Sequence, residues 1–301
     1  MTAGKKGGKR PEGVIPSVHR NLLDLPDTSE LMVWLGHSSL FLQTGGARVL
    51  VDPIFGNHLP EGAILRPFKG TRVFSADDVP PVDALVITHC HWDHLDYHSV
   101  KALKDKAGMV ICPLGVGEFF EYWGYPPEKI HELDWGDVCP VKDEVTLKAL
   151  PARHNSIRYS GRDRTFWMSF MLSGASTIFV SGDGGIGPHF ARIAAEFPEI
   201  DLAVMENGQY DSRMGSEHTR PEELRREIEI LAPRLVFTCH NSKYSLSDHP
   251  WTEPLELIYL YALEKGIGLL TPLMGEIVDI GEGVPHTMTP WWRSVDGDVV
   301  E

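Results

Sequence analysis

Hydrophobic positions in this chain come in short blocks rather than long helical stripes. Leu31 to Leu35, Ser39 to Gln43 and Arg48 to Asp52 read as three short strands. They are separated by Gly36-His37 and by Thr44-Gly45-Gly46, the second of which has the composition of a hairpin turn. The run Ala84-Leu85-Val86-Ile87 is apolar and ends in β-branched residues, which marks a buried strand. Further strands are predicted over Met109 to Cys112, Glu144 to Leu150, Thr165 to Leu172, Thr177 to Ser181, Leu202 to Met205, Leu235 to Thr238 and Gly268 to Leu270. An amphipathic helix is predicted from Asp93, with Leu95, Tyr97, Val100 and Leu103 on its inner side. A second covers Val116 to Trp123 and is ended by Gly124 and Pro126. Three more, Pro188 to Phe197, Pro221 to Leu231 and Pro254 to Glu264, each open with a proline at or near the first helical position.

Strands and hairpins come first, strand-helix alternation follows, and roughly the same order repeats after Ala149. That order predicts an α/β fold, an αββα sandwich of two facing mixed β-sheets with outer helices. No stretch poor in hydrophobics interrupts residues 28–285, so a single domain is expected there. It would follow a partly disordered leader, residues 1–27, and precede a tail, residues 286–301, whose Trp291-Trp292 pair either packs across the body or hangs free. The segment from Phe55 to Val82 is rich in Gly, Pro and mixed charge and reads as a long surface loop covering substrate. Phe119, Phe120, Tyr122 and Trp123 lie at helical spacing and read as core rather than as a lipid-contacting patch.

Charge narrows the partners. A formal net charge of -14 argues against nucleic acid, because phosphate binding draws on clustered Lys and Arg. It also opposes adhesion to anionic lipid, so peripheral membrane contact would depend on a local basic patch. The basic start, Lys5, Lys6, Lys9 and Arg10, is followed by no apolar signal-like run, and no stretch is long enough to span a bilayer. A cytoplasmic address is expected. Cys90, Cys112, Cys139 and Cys239 show no paired spacing and read as small buried fillers.

The chemistry concentrates in Thr88-His89-Cys90-His91-Trp92-Asp93-His94, on the connection leaving the carboxyl end of a buried strand, where open α/β sheets bind their ligands. On a short turn His89 and His91 can point one way while Asp93 and His94 reach a second point, the layout needed for two metal ions. Other strand ends offer His154, Asp183 between glycines in Ser181-Gly182-Asp183-Gly184-Gly185, and His240. His37 and Asp52 also end strands and are expected behind the ligands, orienting their rings. Imidazole and carboxylate donors without thiolate suit zinc, and tolerate manganese or iron. His98, His131, His189 and His249 read as surface or structural residues.

The His-x-His-x-Asp-His pattern after a hydrophobic strand resembles the signature of the metallo-β-lactamase superfamily. The resemblance implies that His89, His91 and His154 hold one ion, that Asp93, His94 and His240 hold the other, and that Asp183 bridges. Trp34-Leu35-Gly36-His37-Ser38-Ser39, Val51-Asp52-Pro53-Ile54-Phe55, Pro80-Pro81-Val82-Asp83-Ala84, His94-Leu95-Asp96-Tyr97, Glu132-Leu133-Asp134-Trp135 and Glu217-His218-Thr219-Arg220-Pro221-Glu222-Glu223 look like the branch containing N-acyl-phosphatidylethanolamine-hydrolysing phospholipase D. That branch is related to the L-ascorbate-6-phosphate lactonases. The lack of a cysteine ligand separates the chain from zinc β-lactamases that use one, and His91 separates it from the diiron oxidoreductases. Departures fall at Gly182-Asp183-Gly184-Gly185-Ile186, where the phospholipase has Gly-Asp-Thr-Gly-Tyr, and in Asn207 to Met214.

The expected function is a dinuclear metal-dependent hydrolase of a small-molecule or lipid phosphodiester, with lactone opening as the alternative and a non-catalytic metal-binding scaffold as the rival class. Asp93 is expected to orient the attacking hydroxide as well as to ligate. His218 is expected to bind the substrate anion or protonate the leaving group, unless it serves only the cap region of the helix beginning at Pro221.

Overall fold

The strands are short and almost wholly apolar because most are covered on both faces. In β1 (Leu31–Gly36) and β2 (Ser39–Thr44) every residue is buried, so side chains that alternate in direction find packing partners either way. The structure, a computed structural model, describes residues 8–56, 66–158, 161–211, 215 and 217–297. In chain order the further strands are β3 (Ala47–Val51), β4 (Val82–Val86), β5 (Ala107–Pro113), β6 (Ile130–Leu133), β7 (Val138–Lys142), β8 (Val145–Leu150), β9 (Ile157–Arg158), β10 (Gly161–Arg162), β11 (Ser169–Ser173), β12 (Thr177–Val180), β13 (Leu202–Glu206), β14 (Leu235–Cys239), β15 (Leu269–Leu270) and β16 (Ile277–Asp279). The helices are α1 (Tyr97–Ala102), α2 (Gly117–Tyr122), α3 (His189–Glu196), α4 (Pro221–Leu231) and α5 (Glu253–Lys265).

Two seven-stranded sheets result, ordered β16-β1-β2-β3-β4-β5-β6 and β15-β14-β13-β12-β11-β8-β7, with β9 and β10 as a separate ribbon. Strands β3 to β6 are parallel, as are β12 to β15. Hairpins supply antiparallel neighbours, so both sheets are mixed. Between the sheets, Trp34, Leu42, Val49 and Val86 meet Leu147, Phe170, Val180, Val204 and Phe237 in one cluster. On one outer face Phe41, Leu50 and Leu85 pack with Val100 of α1 and Phe120 of α2. On the other, Phe179, Ala203 and Val236 pack with Phe190, Ile228 and Ile258 of α3, α4 and α5. Each such side chain contributes about 1.5–3 kcal/mol when fully buried. Six-residue helices such as α1 and α2 are too short to persist alone, so this packing holds them. The αββα sandwich is the expected one.

Several local expectations are corrected. Asp93 and His94 lie in a tight turn, not in a helix. The helix starts at Tyr97, because the Asp96 carboxylate accepts from the Ser99 amide at 2.9 Å and caps it there. Strands β6, β7 and β16 went unforeseen. They are short, and β7 alternates exposed and buried positions on an edge that admits Pro140. Of the aromatic stretch, Phe120 is core, but Tyr122 is 88% exposed. Trp291 and Trp292 are buried, and the Trp292 indole donates to Glu256 at 2.8 Å, so the tail packs on the body. The described part of the leader stretch is attached as well: Ile15 and Leu22 are buried, and Val18 donates to the Met274 carbonyl. Residues 57–65 of the loop expected to cover substrate, and 212–214 of the divergent stretch, lie outside the described residues.

Strands β1, β3, β4, β8, β12, β13 and β14 all deliver their carboxyl ends to one rim of the sandwich. The predicted site residues stand there.

Candidate metal centre

Asp52, the residue after β3, organises the turn after β4. Its Oδ1 accepts from the Thr88 amide at 2.8 Å, and its Oδ2 accepts from the Thr88 hydroxyl at 2.6 Å and pairs with His94 Nδ1 at 2.8 Å. The single Thr88 hydroxyl proton is thereby committed, so the contact of Thr88 Oγ1 with His89 Nδ1 at 3.0 Å has the imidazole N–H as donor. With both Nδ1 atoms anchored, His89 and His94 turn their Nε2 atoms inward. Asp52 stands behind His94, where it would orient that ring. His37 stands behind another of the expected ligands: its Nε2 lies 2.9 Å from Asp93 Oδ2, against a carboxylate rather than a ring.

The facing sheet completes the cluster. His154, beyond β8, bonds the Glu217 carbonyl through Nδ1 at 2.8 Å and brings Nε2 to 3.2 Å from His91 Nδ1. Asp183 follows β12 on a backbone that needs glycine: Gly182 has φ +59°, and a Cβ there would lie 2.8 Å from the Met168 carbonyl oxygen. His240, beyond β14, places Nε2 3.2 Å from Asp93 and 3.1 Å from Asp183 Oδ2. The same Asp183 oxygen is 3.2 Å from His94 Nε2, 3.9 Å from His89 Nε2 and 4.0 Å from His154 Nε2. All seven predicted ligand positions are thus brought together. His89, His91 and His154 form one tight group, Asp93, His94 and His240 another with His37 behind, and Asp183 stands between.

Two observations test whether a metal fits. Among the described residues, His89 Nε2, His94 Nε2 and Asp183 Oδ1 are buried with no hydrogen-bond partner, although such atoms cost free energy unless something else satisfies them. The charges agree. Burial, with the surrounding imidazoles, pushes His89 well below its ordinary pKa, burial takes His154 down to about 3, and burial lowers His91, so these three are neutral and offer lone pairs. Burial opposes ionisation of Asp93 and Asp183, yet neighbouring imidazoles hold both well below the usual carboxylate range. Burial also disfavours charge on His94 and His240, but the same carboxylates outweigh it, raising His94 well above its ordinary value and His240 to about 10. Protons on those two rings stand where a cation would balance the aspartates. The donor set fits divalent metal.

One residue of the cluster was missed. Glu206, the last residue of β13, is 1% exposed and touches His218, His240, Gly184 and Thr219. At the end of the apolar run Leu202–Met205 it gave no motif to notice. His218 is also at the cluster, its ring stacked on His240 at 5.4 Å with an interplanar angle of 10°.

Imidazoles and carboxylates converging on the strand ends of an αββα sandwich define a metal-dependent hydrolase. The family described as a beta-lactamase superfamily domain matches residues 47–241. An uncharacterised protein of Mycobacterium tuberculosis is 33% identical over 296 residues, covering 96% of this chain and 78% of its own. The N-acyl-phosphatidylethanolamine-hydrolyzing phospholipase D 1 of Caenorhabditis elegans is 26% identical over 81% of this chain and 74% of its own. Among solved structures, the diiron beta-hydroxylase CmlA from Streptomyces venezuelae shares the fold, with TM-score 0.65 at 18% identity over 85% of this chain and 55% of its own. The chain belongs to the metallo-β-lactamase superfamily, in the branch that contains the N-acyl-phosphatidylethanolamine phospholipases D and the L-ascorbate-6-phosphate lactonases.

Proposed function

We propose that the chain holds two divalent ions, most simply zinc, and hydrolyses a phosphodiester. The observation that carries this reading is the division of the buried donors into two groups about the shared Asp183 carboxylate. His89, His91 and His154 would hold one ion, Asp93, His94 and His240 the other, with Asp183 between. When bound, such a pair supplies Lewis-acid polarisation of a phosphoryl oxygen and a water acidic enough to lose its proton near neutral pH. The protein's own part is orientation. Asp52, Thr88 and the Glu217 carbonyl fix the rings, His37 fixes the Asp93 carboxylate, and Asp93 directs the nucleophilic water. His218 stands beside the cluster, where it meets the substrate anion or its leaving group. The preference for a phosphodiester over a lactone is supported by the segments, Glu217-His218-Thr219-Arg220-Pro221-Glu222-Glu223 among them, that resemble the phospholipase branch.

Elemental analysis of protein purified without chelator, paired with hydrolysis of bis-4-nitrophenyl phosphate and a simple lactone, tests the reading. Nearly two ions per chain with phosphodiesterase turnover is the expected result. Turnover on the lactone alone would transfer the assignment to lactonase. His89→Ala and Asp183→Asn should each abolish metal-dependent turnover in a folded protein; full activity at reduced metal content in either variant would defeat the dinuclear mechanism.

A further inference from the structure

The Glu206 carboxylate lies beneath the centre and faces four donors from three segments. Its Oε2 accepts from the Gly184 amide at 2.8 Å and the Thr219 amide at 3.3 Å. Its Oε1 bonds His218 Nδ1 in a short contact and lies 3.1 Å from His240 Nδ1, a close polar contact rather than an aligned hydrogen bond. An ionised carboxylate, which accepts at both oxygens and donates nowhere, meets all four donors at once. With the carboxylate ionised, both imidazoles present N–H at Nδ1. For His240 that leaves Nε2 toward Asp93 and Asp183, as observed. For His218 it leaves Nε2 as the one ring nitrogen open to a ligand.

We propose that Glu206 is a positioning residue that fixes the hydrogen on Nδ1 of both His218 and His240, so that each works through Nε2: His240 toward the metal and His218 toward the substrate. One carboxylate thereby couples the loop carrying Asp183, through Gly184, to the segment carrying His218, through Thr219. The His218 half rests on the reading of that residue as substrate-facing. Glutamine at position 206 cannot reproduce the arrangement. If its carbonyl accepts from Gly184 and Thr219, its amide N–H group confronts two imidazole N–H groups. If it turns over, it confronts the two backbone amides.

Long-range proton–nitrogen correlation spectra of the imidazoles test this directly on the zinc-loaded full chain, with His218→Gln used to assign the His218 signals. The wild-type spectrum should show His218 and His240 with hydrogen on Nδ1, and a His218 ring whose Nδ1 carries no hydrogen would overturn the proposal without any Glu206 variant. In Glu206→Gln at matched zinc content, His218 should move to the Nε2-bound form; an unchanged tautomer would equally refute it. Hydrolysis separates the two layers of the claim. Where His218 keeps its Nδ1 hydrogen, takes a second proton from water at Nε2 and passes that proton to the leaving oxygen as the P–O bond breaks, Glu206→Gln, which removes the carboxylate facing the imidazolium, should lose on the order of 10²-fold on an alkyl phosphodiester and far less on a 4-nitrophenyl ester, whose leaving group needs no proton. A shifted tautomer with equal losses on both substrates upholds Glu206 as the positioning residue and removes His218 from the leaving-group step.

Discussion

His89, His94 and His154 are each fixed by what the outer ring nitrogen touches: the Thr88 hydroxyl, the Asp52 carboxylate and the Glu217 carbonyl. The ligand positions announced themselves because imidazoles and a carboxylate crowd into His89-Cys90-His91-Trp92-Asp93-His94 just past an apolar run. Asp52 was readable as an aspartate ending a strand. Thr88, the Glu217 carbonyl and Glu206 were not, because a threonine, a backbone oxygen and a glutamate closing a hydrophobic strand have no pattern until the fold brings them to their rings. Asp52→Asn would turn an amide N–H group toward His94 Nδ1 or toward Thr88. It should weaken zinc binding by about 10–100-fold, measured by competition with a chelator. Unchanged affinity in a folded variant would mean that the anchor on His94 is dispensable.

At the scale of elements, α4 ties the Asp183 loop to the second sheet through a carboxyl group that has to be neutral. The Thr219 hydroxyl lies 2.6 Å from the Gly184 carbonyl and 2.9 Å from Glu227 Oε1 on α4. A hydroxyl has one proton and the carbonyl can only accept, so Glu227 must donate and is a carboxylic acid. Burial, with Glu206 and Glu223 adding to it, raises its pKa well above the ordinary value near 4.5. The native protein therefore binds a proton that the unfolded chain releases above that value, and wild-type stability falls as pH rises through the interval. Glu227→Gln keeps a donor toward Thr219 without this linkage. In urea unfolding from pH 4.5 to 8 it should gain on wild type by up to about 1.4 kcal/mol per pH unit until the folded-state pKa is passed. A constant difference across that range would show that Glu227 is ionised. Element type was largely readable from apolar blocks and opening prolines, as at Pro221 for α4. Element starts were less so: the helix after the ligand turn was placed at Asp93 because the apolar spacing runs back that far, whereas a side-chain cap at Asp96 decides. The edge strands β7 and β16 bury only two positions and one, an alternation too short to stand out in the sequence.

Across the whole molecule, both ends of the described chain close over the sandwich. Trp291 and Trp292 pack against Trp251 and Tyr259 beside α5, and the Trp251 indole donates to Asp296 at 2.8 Å. Removing that cover should be costly: Trp292→Ala is expected to lower stability by about 3–5 kcal/mol in urea unfolding, and a change below 1 kcal/mol would show the tail to be ornamental. The expected ligands are scattered from His89 to His240, with His154, Asp183 and His240 supplied by the second half. A chain still emerging from the ribosome therefore has its first three imidazoles long before His240, on loops that nothing yet holds apart. Until β14 has been made and docked, the proposed pair of ions lacks the His240 side of its site. On that reading metal loading is a late event in the life of this chain.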